Sequence, residues 1–208
     1  MPNTELGAKG KRTRERLVVS GFSLFIKKGV AHVALEDVLQ YSDVKKGAFY
    51  YYFTSKDEFL QTCFEECYLR PVAEAVDEFT ARGAESLDDI LYFFTHLTVR
   101  VKARMDARLG EHAVDLEDVF SNIAYMSRQN NFMAEHFVEF HDKQREFVQR
   151  CLVRMKDRGL VSAGADCAEI ARMMCACREG ALSIAAKDKT MDFTAVMTTY
   201  MDYFARLL

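Results

Sequence analysis

Only two of the 208 residues are proline, Pro2 and Pro71, so little in the chain interrupts long helices. Long hydrophobic runs are missing too. The longest uncharged apolar stretches, residues 17–26 and 90–99, are about half of the ~18 residues that a membrane span needs. The first follows a basic segment, as the core of a signal peptide would, but Gly21 and Ser23 interrupt it and Lys27-Lys28 closes it without a small-residue cleavage site. The expectation is a soluble, cytoplasmic protein with no membrane partner. Also absent are a nucleophile elbow, a phosphate-binding glycine loop, a His-Glu-x-x-His pair and a Cys-x-x-Cys pair, which argues against an enzyme. There is no Pro-rich linker and no internal repeat.

Six cysteines are present: Cys63, Cys67, Cys151, Cys167, Cys175 and Cys177. They stand among apolar neighbours and read as reduced, buried thiols. Cys63 and Cys67 share a helical face, but no His or Cys at ligand spacing completes a tetrahedral set. Neither a metal nor a cofactor is expected. A redox switch through Cys151, Cys175 or Cys177 would need an electropositive, accessible setting.

Half of the chain is apolar and 28% is charged, enough for one sizeable core or two modest ones. The net charge of −3 divides unevenly. Residues 1–60 carry ten Lys/Arg against seven Asp/Glu, or +3, and the other 148 carry 18 against 24, or −6. A basic head on an acidic body is expected where only the head meets a polyanion.

In that head, Leu17, Val18, Gly21, Phe22, Leu24 and Phe25 recur in steps of three and four, while Lys11, Arg12, Arg14, Glu15 and Arg16 crowd the start of the same segment. The spacing predicts an amphipathic helix with one apolar stripe, stopped at Gly29. A second helix is expected over about 35–42 and a third from about Lys45, with Asp43-Val44 as the turn, a helix-turn-helix spacing. Phe49 and Phe53, four apart, point inward. Lys45, Lys46, Ala48, Tyr50, Tyr51 and Tyr52 are then left for solvent or DNA, with tyrosine hydroxyls and lysines suited to phosphate oxygens and the Ala48 methyl suited to a thymine methyl. Three consecutive tyrosines span most of a helix's circumference, which a purely structural core helix would not do.

Residues 13–30 and 35–60, with the closure Gly47-x-Phe49-Tyr50-Tyr51-x-Phe53-x-Ser55-Lys56, resemble the TetR family of transcriptional regulators from its first helix into its fourth. The resemblance implies an all-α protein of about nine helices, with a three-helix DNA-binding head (1–54) and a helical body for ligand binding and dimerisation (55–208). It places Lys46, Ala48, Tyr50, Tyr51 and Tyr52 at operator-contacting positions and Lys56 where the family clamps a phosphate. Lys45 and Arg12 complete the expected DNA-facing set. Three departures point to an altered operator. Ala34 stands where a capping Thr or Ser is usual, Asp43 replaces a turn glycine, and Lys45 replaces a capping serine.

Ser55 and Glu58 form a capping box for a helix expected over 55–82, with Pro71 bending it either as a hinge or as a fixed fit. Further helices are expected at about 87–108, 115–128, 131–157, 166–187 and 191–207. The aromatic and methionine content of 87–147 suits an adaptable apolar pocket. Phe93, His96, Arg100, Arg104, Tyr125, Met126, Phe137 and His141 are its candidate ligand contacts, with the arginines favouring an anion. Core packing explains each of them as well. Small residues of the eighth helix and the apolar spacing of the ninth suit a four-helix homodimer interface.

The expected function is a ligand-responsive regulator, most directly a repressor that a small-molecule inducer releases from a pseudo-palindromic double-stranded operator. Two other classes stay open on the sequence. A helical enzyme would turn its ligand over, and an adaptor would show no salt-dependent affinity for duplex.

Overall fold

The computed structural model describes residues 7–129, 131–188 and 190–208, apart from the side chains of 117, 124–129 and 207. The described residues are helical, with no strand among them. In order they form α1 (Ala8–Lys28), a 3-10 turn (Val30–His32), α2 (Leu35–Tyr41), α3 (Lys46–Tyr52), α4 (Lys56–Phe64), a π turn (Glu65–Leu69), α5 (Arg70–Arg82), α6 (Leu87–Leu109), a second 3-10 turn (Gly110–His112), α7 (Leu116–Gln129), α8 (Asn131–Asp157), α9 (Cys167–Ala185) and α10 (Phe193–Leu207). With α4, the π turn and α5 counted as one rod, these make the nine helices that the resemblance implies. Of the first ten residues, 1–6 lie outside the described residues and Lys9 and Gly10 already belong to α1.

Two compact units divide the chain: residues up to Pro71 with Arg104–Phe132, and Val72–Ala103 with Met133–Leu208. In the first unit α1 is buried along ten consecutive residues, 17 to 26. The expected pattern was one apolar stripe, and the structure corrects it. A helix buried all round needs neighbours on every side, and α1 touches α2, α3, α4, the π turn, α7 and both 3-10 turns. Ser20, Gly21 and Ser23 tolerate this because they are small. A Cβ at Gly21 would lie 2.3 Å from the Phe59 ring and 3.1 Å from Cys63 Sγ, so glycine sets how closely α4 approaches. Gly29, at φ 81, ends α1 and donates its N–H to the Phe25 carbonyl.

The rim of this unit is an alternating chain of charges. Glu66, in the π turn, pairs with Arg14 at 2.8 Å and with Arg108 at 2.7 Å, and Arg108 also reaches Glu15 at 2.7 Å. The π turn itself differs from the expected single helix bent at Pro71. Its i to i+5 spacing, closed by the Arg70 N–H on the Glu65 carbonyl, falls immediately before the proline. A widened turn there accommodates a residue that cannot donate to the carbonyl four back and whose ring crowds it.

The second unit buries Phe79, Phe93, Phe94 and Phe147, with Phe93 and Phe147 centroids 4.5 Å apart. Ser86 and Asp89 cap α6 reciprocally: the Ser86 hydroxyl accepts from the Asp89 N–H, and the Asp89 carboxylate accepts from the Ser86 N–H. These contacts, led by a further N–H from Glu85, hold the Asp89 carboxyl below its ordinary pKa. Helices α9 and α10 pack together, and Met174 and Ala181 on the one and Met197, Met201 and Phe204 on the other are buried.

All six thiols are unpaired; Cys175 and Cys177 are half-buried and the other four buried. Burial pushes Cys63 well up, Cys67 to about 12, and Cys151 and Cys175 to about 11, so these are poor nucleophiles at neutral pH. Iodoacetamide labelling of native protein at pH 8 is expected to leave Cys63, Cys67 and Cys151 unmodified over minutes and to label all six in denaturant. Rapid native labelling of any of the three would contradict the burial. Alanine at Gly21 is expected to lose more by overpacking, ~1–3 kcal/mol, than the ~1 kcal/mol it gains in helix propensity. Calorimetry should show a lower Tm for Gly21→Ala; an unchanged or raised Tm would mean that α4 can retreat at no cost.

Candidate nucleic-acid interface

The helix-turn-helix is set by contacts to α1 as much as by its own turn. Asp43 takes the left-handed conformation expected of it, φ 49. The Arg16 guanidinium donates to its carbonyl at 3.0 Å, fastening the turn to α1. Ala34 gives α2 no side-chain cap, as expected, but Asp37 supplies the reciprocal half: its carboxylate accepts the Ala34 N–H at 2.8 Å. Lys45 likewise leaves α3 without a side-chain cap.

Phe49 and Phe53 are 0% and 2% exposed and meet Phe59 at 5.2 and 4.9 Å, which fixes the inner face of α3. The outer face follows from that. Tyr50 and Tyr51 are 55% and 59% exposed, Lys45 and Lys46 are exposed, and Ala48 and Tyr52 are half-buried. Tyr52 packs edge-on to Tyr51 at 5.0 Å. Gly47, on the same helix, meets nothing within 4 Å of an added Cβ. Its own fold does not need glycine there, which costs helix stability; a close approach by another molecule would.

Basic residues divide into two groups. Arg14 and Arg16 are engaged inside the unit, Arg14 also lying 5.6 Å over the Phe53 ring. Arg12, Lys11, Lys45 and Lys46 are exposed. Lys46 pairs with Glu36 at 3.4 Å, both well exposed, so the pair can be exchanged for a phosphate. Lys56 donates to the Val33 carbonyl, joining the start of α4 to the approach of α2. The box that starts α4 differs from expectation by one residue. Ser55 accepts the Glu58 N–H at 3.1 Å, whereas the Glu58 carboxylate turns to the N–H and hydroxyl of Thr54 at 2.7 and 2.6 Å. Those contacts hold the Glu58 carboxyl below its ordinary range.

Of the expected ligand contacts, Phe93, His96, Arg100, Phe137 and His141 lie in the second unit and Arg104 in the first; the side chains of Tyr125 and Met126 lie outside the described residues. Phe93 is a core residue, 0% exposed. His96 is exposed and stacks on Tyr92 at 4.0 Å. Arg100 is held by the Glu78 carboxylate and the Tyr92 hydroxyl, above the Phe79 ring. Phe137 meets His141 edge-on at 4.2 Å. Sequence reading missed two polar residues, Gln144 and Arg178, which are 1% and 3% exposed. Both interrupt apolar stripes, Gln144 ahead of Val148 and Cys151, Arg178 between Met174 and Ala181, and that interruption was their signal. No three His, Cys, Asp or Glu side chains among the described residues gather as metal ligands, and no described helix is long and apolar enough to cross a membrane.

The sequence model for bacterial regulatory proteins of the tetR family matches residues 17–63. The HTH-type transcriptional regulator TtgR of Pseudomonas putida is 23% identical over 120 residues, 53% of this chain and 54% of its own. The HTH-type transcriptional repressor NemR of Escherichia coli is 38% identical over 56 residues, 27% and 28%. The chain thus spans about half, or less, of the length of these relatives. In structure it is similar to reduced NemR of E. coli (TM-score 0.63, 18% identity, 94% and 97% covered). It is also similar to a TetR-family regulator of Cytophaga hutchinsonii (0.68, 18%, 98% of each) and to a complex of SmeT with triclosan (0.67, 22%, 92% and 91%). These likenesses establish the fold, and the match at residues 17–63 covers the helix-turn-helix described above. Residues 17–63 thus carry a helix-turn-helix of the tetR type, on a chain whose fold is similar to that of TetR-family regulators of known structure.

Proposed function

We propose that the protein is a ligand-responsive transcriptional regulator, a repressor that binds a pseudo-palindromic operator and leaves it when a small molecule occupies the body. The observation that carries this reading is the outer face of α3, where Tyr50 and Tyr51 stand exposed beside Lys45 and Lys46 while Phe49 and Phe53 hold the helix in place. Two aromatic hydroxyls and two ammonium groups suit phosphate and base edges. Ala48, Tyr52, Lys56 and Arg12 extend the surface. Residues 1–54 read DNA, and residues 55–208 bind ligand and a second copy of the chain. Met173 and Ile184 on α9 and Tyr203 on α10 are large apolar side chains left exposed, with the small Ala176 and Gly180 exposed beside them, which supports dimerisation through these helices. A two-fold dimer sets its recognition helices about 34 Å apart, one DNA turn. Release needs a coupling of only ~1–3 kcal/mol between ligand and operator.

The relatives support the same reading, since TtgR is named a transcriptional regulator, NemR a transcriptional repressor, and SmeT the repressor of a multidrug efflux pump in Stenotrophomonas maltophilia.

Selection of random-sequence duplexes on the purified protein, read by fluorescence anisotropy, is expected to recover a palindromic site that Lys46→Ala with Tyr50→Ala no longer binds. Equal weak binding by both proteins, with no site enriched, would refute the proposal. Gly47→Ala separates folding from recognition. It is expected to keep or raise the Tm, because alanine is the better helix residue by about 0.5–1 kcal/mol, while weakening binding to the selected site. Unchanged operator affinity would show that no close approach occurs at Gly47.

A further inference from the structure

Three interruptions of apolar stripes meet in the second unit. On α8 the inward positions run His141, Gln144, Phe147, Val148 and Cys151, so two polar side chains lead an otherwise apolar face. On α9, Arg178 sits between Met174 and Ala181 on the buried face. The Arg178 guanidinium donates to the Phe94 carbonyl at 3.3 Å, to the Thr98 hydroxyl at 3.1 Å and to the Glu179 carboxylate, and it lies 5.9 Å over the Phe94 ring. Phe94 adjoins Phe93, which packs on Phe147, one helical turn beyond Gln144. His141 faces Arg178 and Glu179 electrostatically. These polar groups therefore border one layer of phenylalanine rings, Phe93, Phe94 and Phe147.

Arg178 is satisfied in this layer, and its charge is answered by Glu179. Two other groups are not. Gln144 Nε2 and His141 Nε2 are buried with no hydrogen-bond partner among the described residues. A buried amide left unpaired is costly, and a folded protein retains one only where something else meets it. Burial also lowers the His141 pKa, which keeps the imidazole neutral. What would satisfy the pair is an acceptor for the Gln144 amide and a neutral polar group for the imidazole, framed by aromatic carbon. Among the described residues the cations around His141, Arg178 and Arg145, are already paired with Glu179 and Asp142, so a bare anion gains little.

We infer that Gln144 and His141, beside the Arg178–Glu179 pair, form the polar end of a ligand site for an uncharged aromatic molecule bearing a carbonyl or hydroxyl group. The inference rests on the proposed ligand-responsive reading and names the ligand class for it. Gln144 supplies the directional hydrogen bond, Phe147 and Phe137 supply apolar walls, and selectivity is against both apolar isosteres and carboxylates. A site built to hydrogen-bond a polar substituent rejects the analogue that lacks it, because its own buried group is then left unpaired.

The test uses acetophenone, its near-isosteric hydrocarbon cumene, and benzoate, with binding to the full chain followed by calorimetric Tm and by titration. Acetophenone is expected to raise the Tm and to bind about tenfold more tightly than cumene, the worth of one buried hydrogen bond, and more tightly than benzoate. Gln144→Leu removes the unpaired amide at similar volume. It is expected to raise the Tm of the free protein and to bring acetophenone down to the affinity of cumene, a combination that a merely structural glutamine would not give. Equal responses of wild type and Gln144→Leu to acetophenone, no binding of acetophenone, or preferential binding of benzoate would each overturn the inference. Operator release is measured separately. A probe that binds through Gln144 without releasing operator counts against the ligand-responsive reading and leaves the site standing.

Discussion

Burial of α1 on every side is the constraint from which the first unit follows. Ten consecutive buried residues cannot be covered by a helix-turn-helix alone, so α4, the π turn, α7 and the 3-10 turns complete the enclosure. Gly21 lets α4 come close, and the Arg14–Glu66–Arg108–Glu15 chain closes the rim. Arg16 then carries the position of α1 to the turn at Asp43. The orientation of α3 is thus inherited from α1, the helix at the centre of the first unit.

Charge is divided in the same spirit. Partly buried ion pairs cost desolvation that only good geometry repays, and here each of Glu66 and Arg108 meets two partners. Those arginines are occupied by the fold. The side chains that the proposed reading leaves for DNA are fewer and flatter: Tyr50 and Tyr51 with Lys11, Lys45, Lys46 and Arg12. Such a surface leans on aromatic contact and hydroxyl donors more than on a dense cationic patch.

Much of this was legible in the sequence wherever a local rule decides. Gly29 stops α1, Asp43 takes the left-handed turn position, Phe49 and Phe53 face inward, and α8 spans 131–157, ending ahead of Gly159 as expected. What escaped depends on partners distant in sequence or on backbone register. The second buried face of α1 is written in Ser20, Gly21 and Ser23, residues whose polarity or size hides their burial. The π turn is a change of hydrogen-bond spacing ahead of Pro71, which composition does not show. Glu78 and Arg100 are 22 residues apart, and their pairing needs the fold. Gln144 and Arg178 were visible as polar residues on apolar stripes, but only the structure brings them to one layer. The exposure of Tyr50 and Tyr51 was readable because three adjacent helical positions cannot all point inward, whereas Tyr52, packed on Tyr51, is half-buried.

Hydrogen exchange with and without a selected duplex tests the account most directly. Amides of residues 17–26 are predicted to exchange only through global unfolding in both states, while operator adds protection over residues 45–56 and none over α9 and α10 beyond that of a stable dimer. Fast exchange in α1, or protection by DNA appearing in the second unit and not at α3, would contradict it.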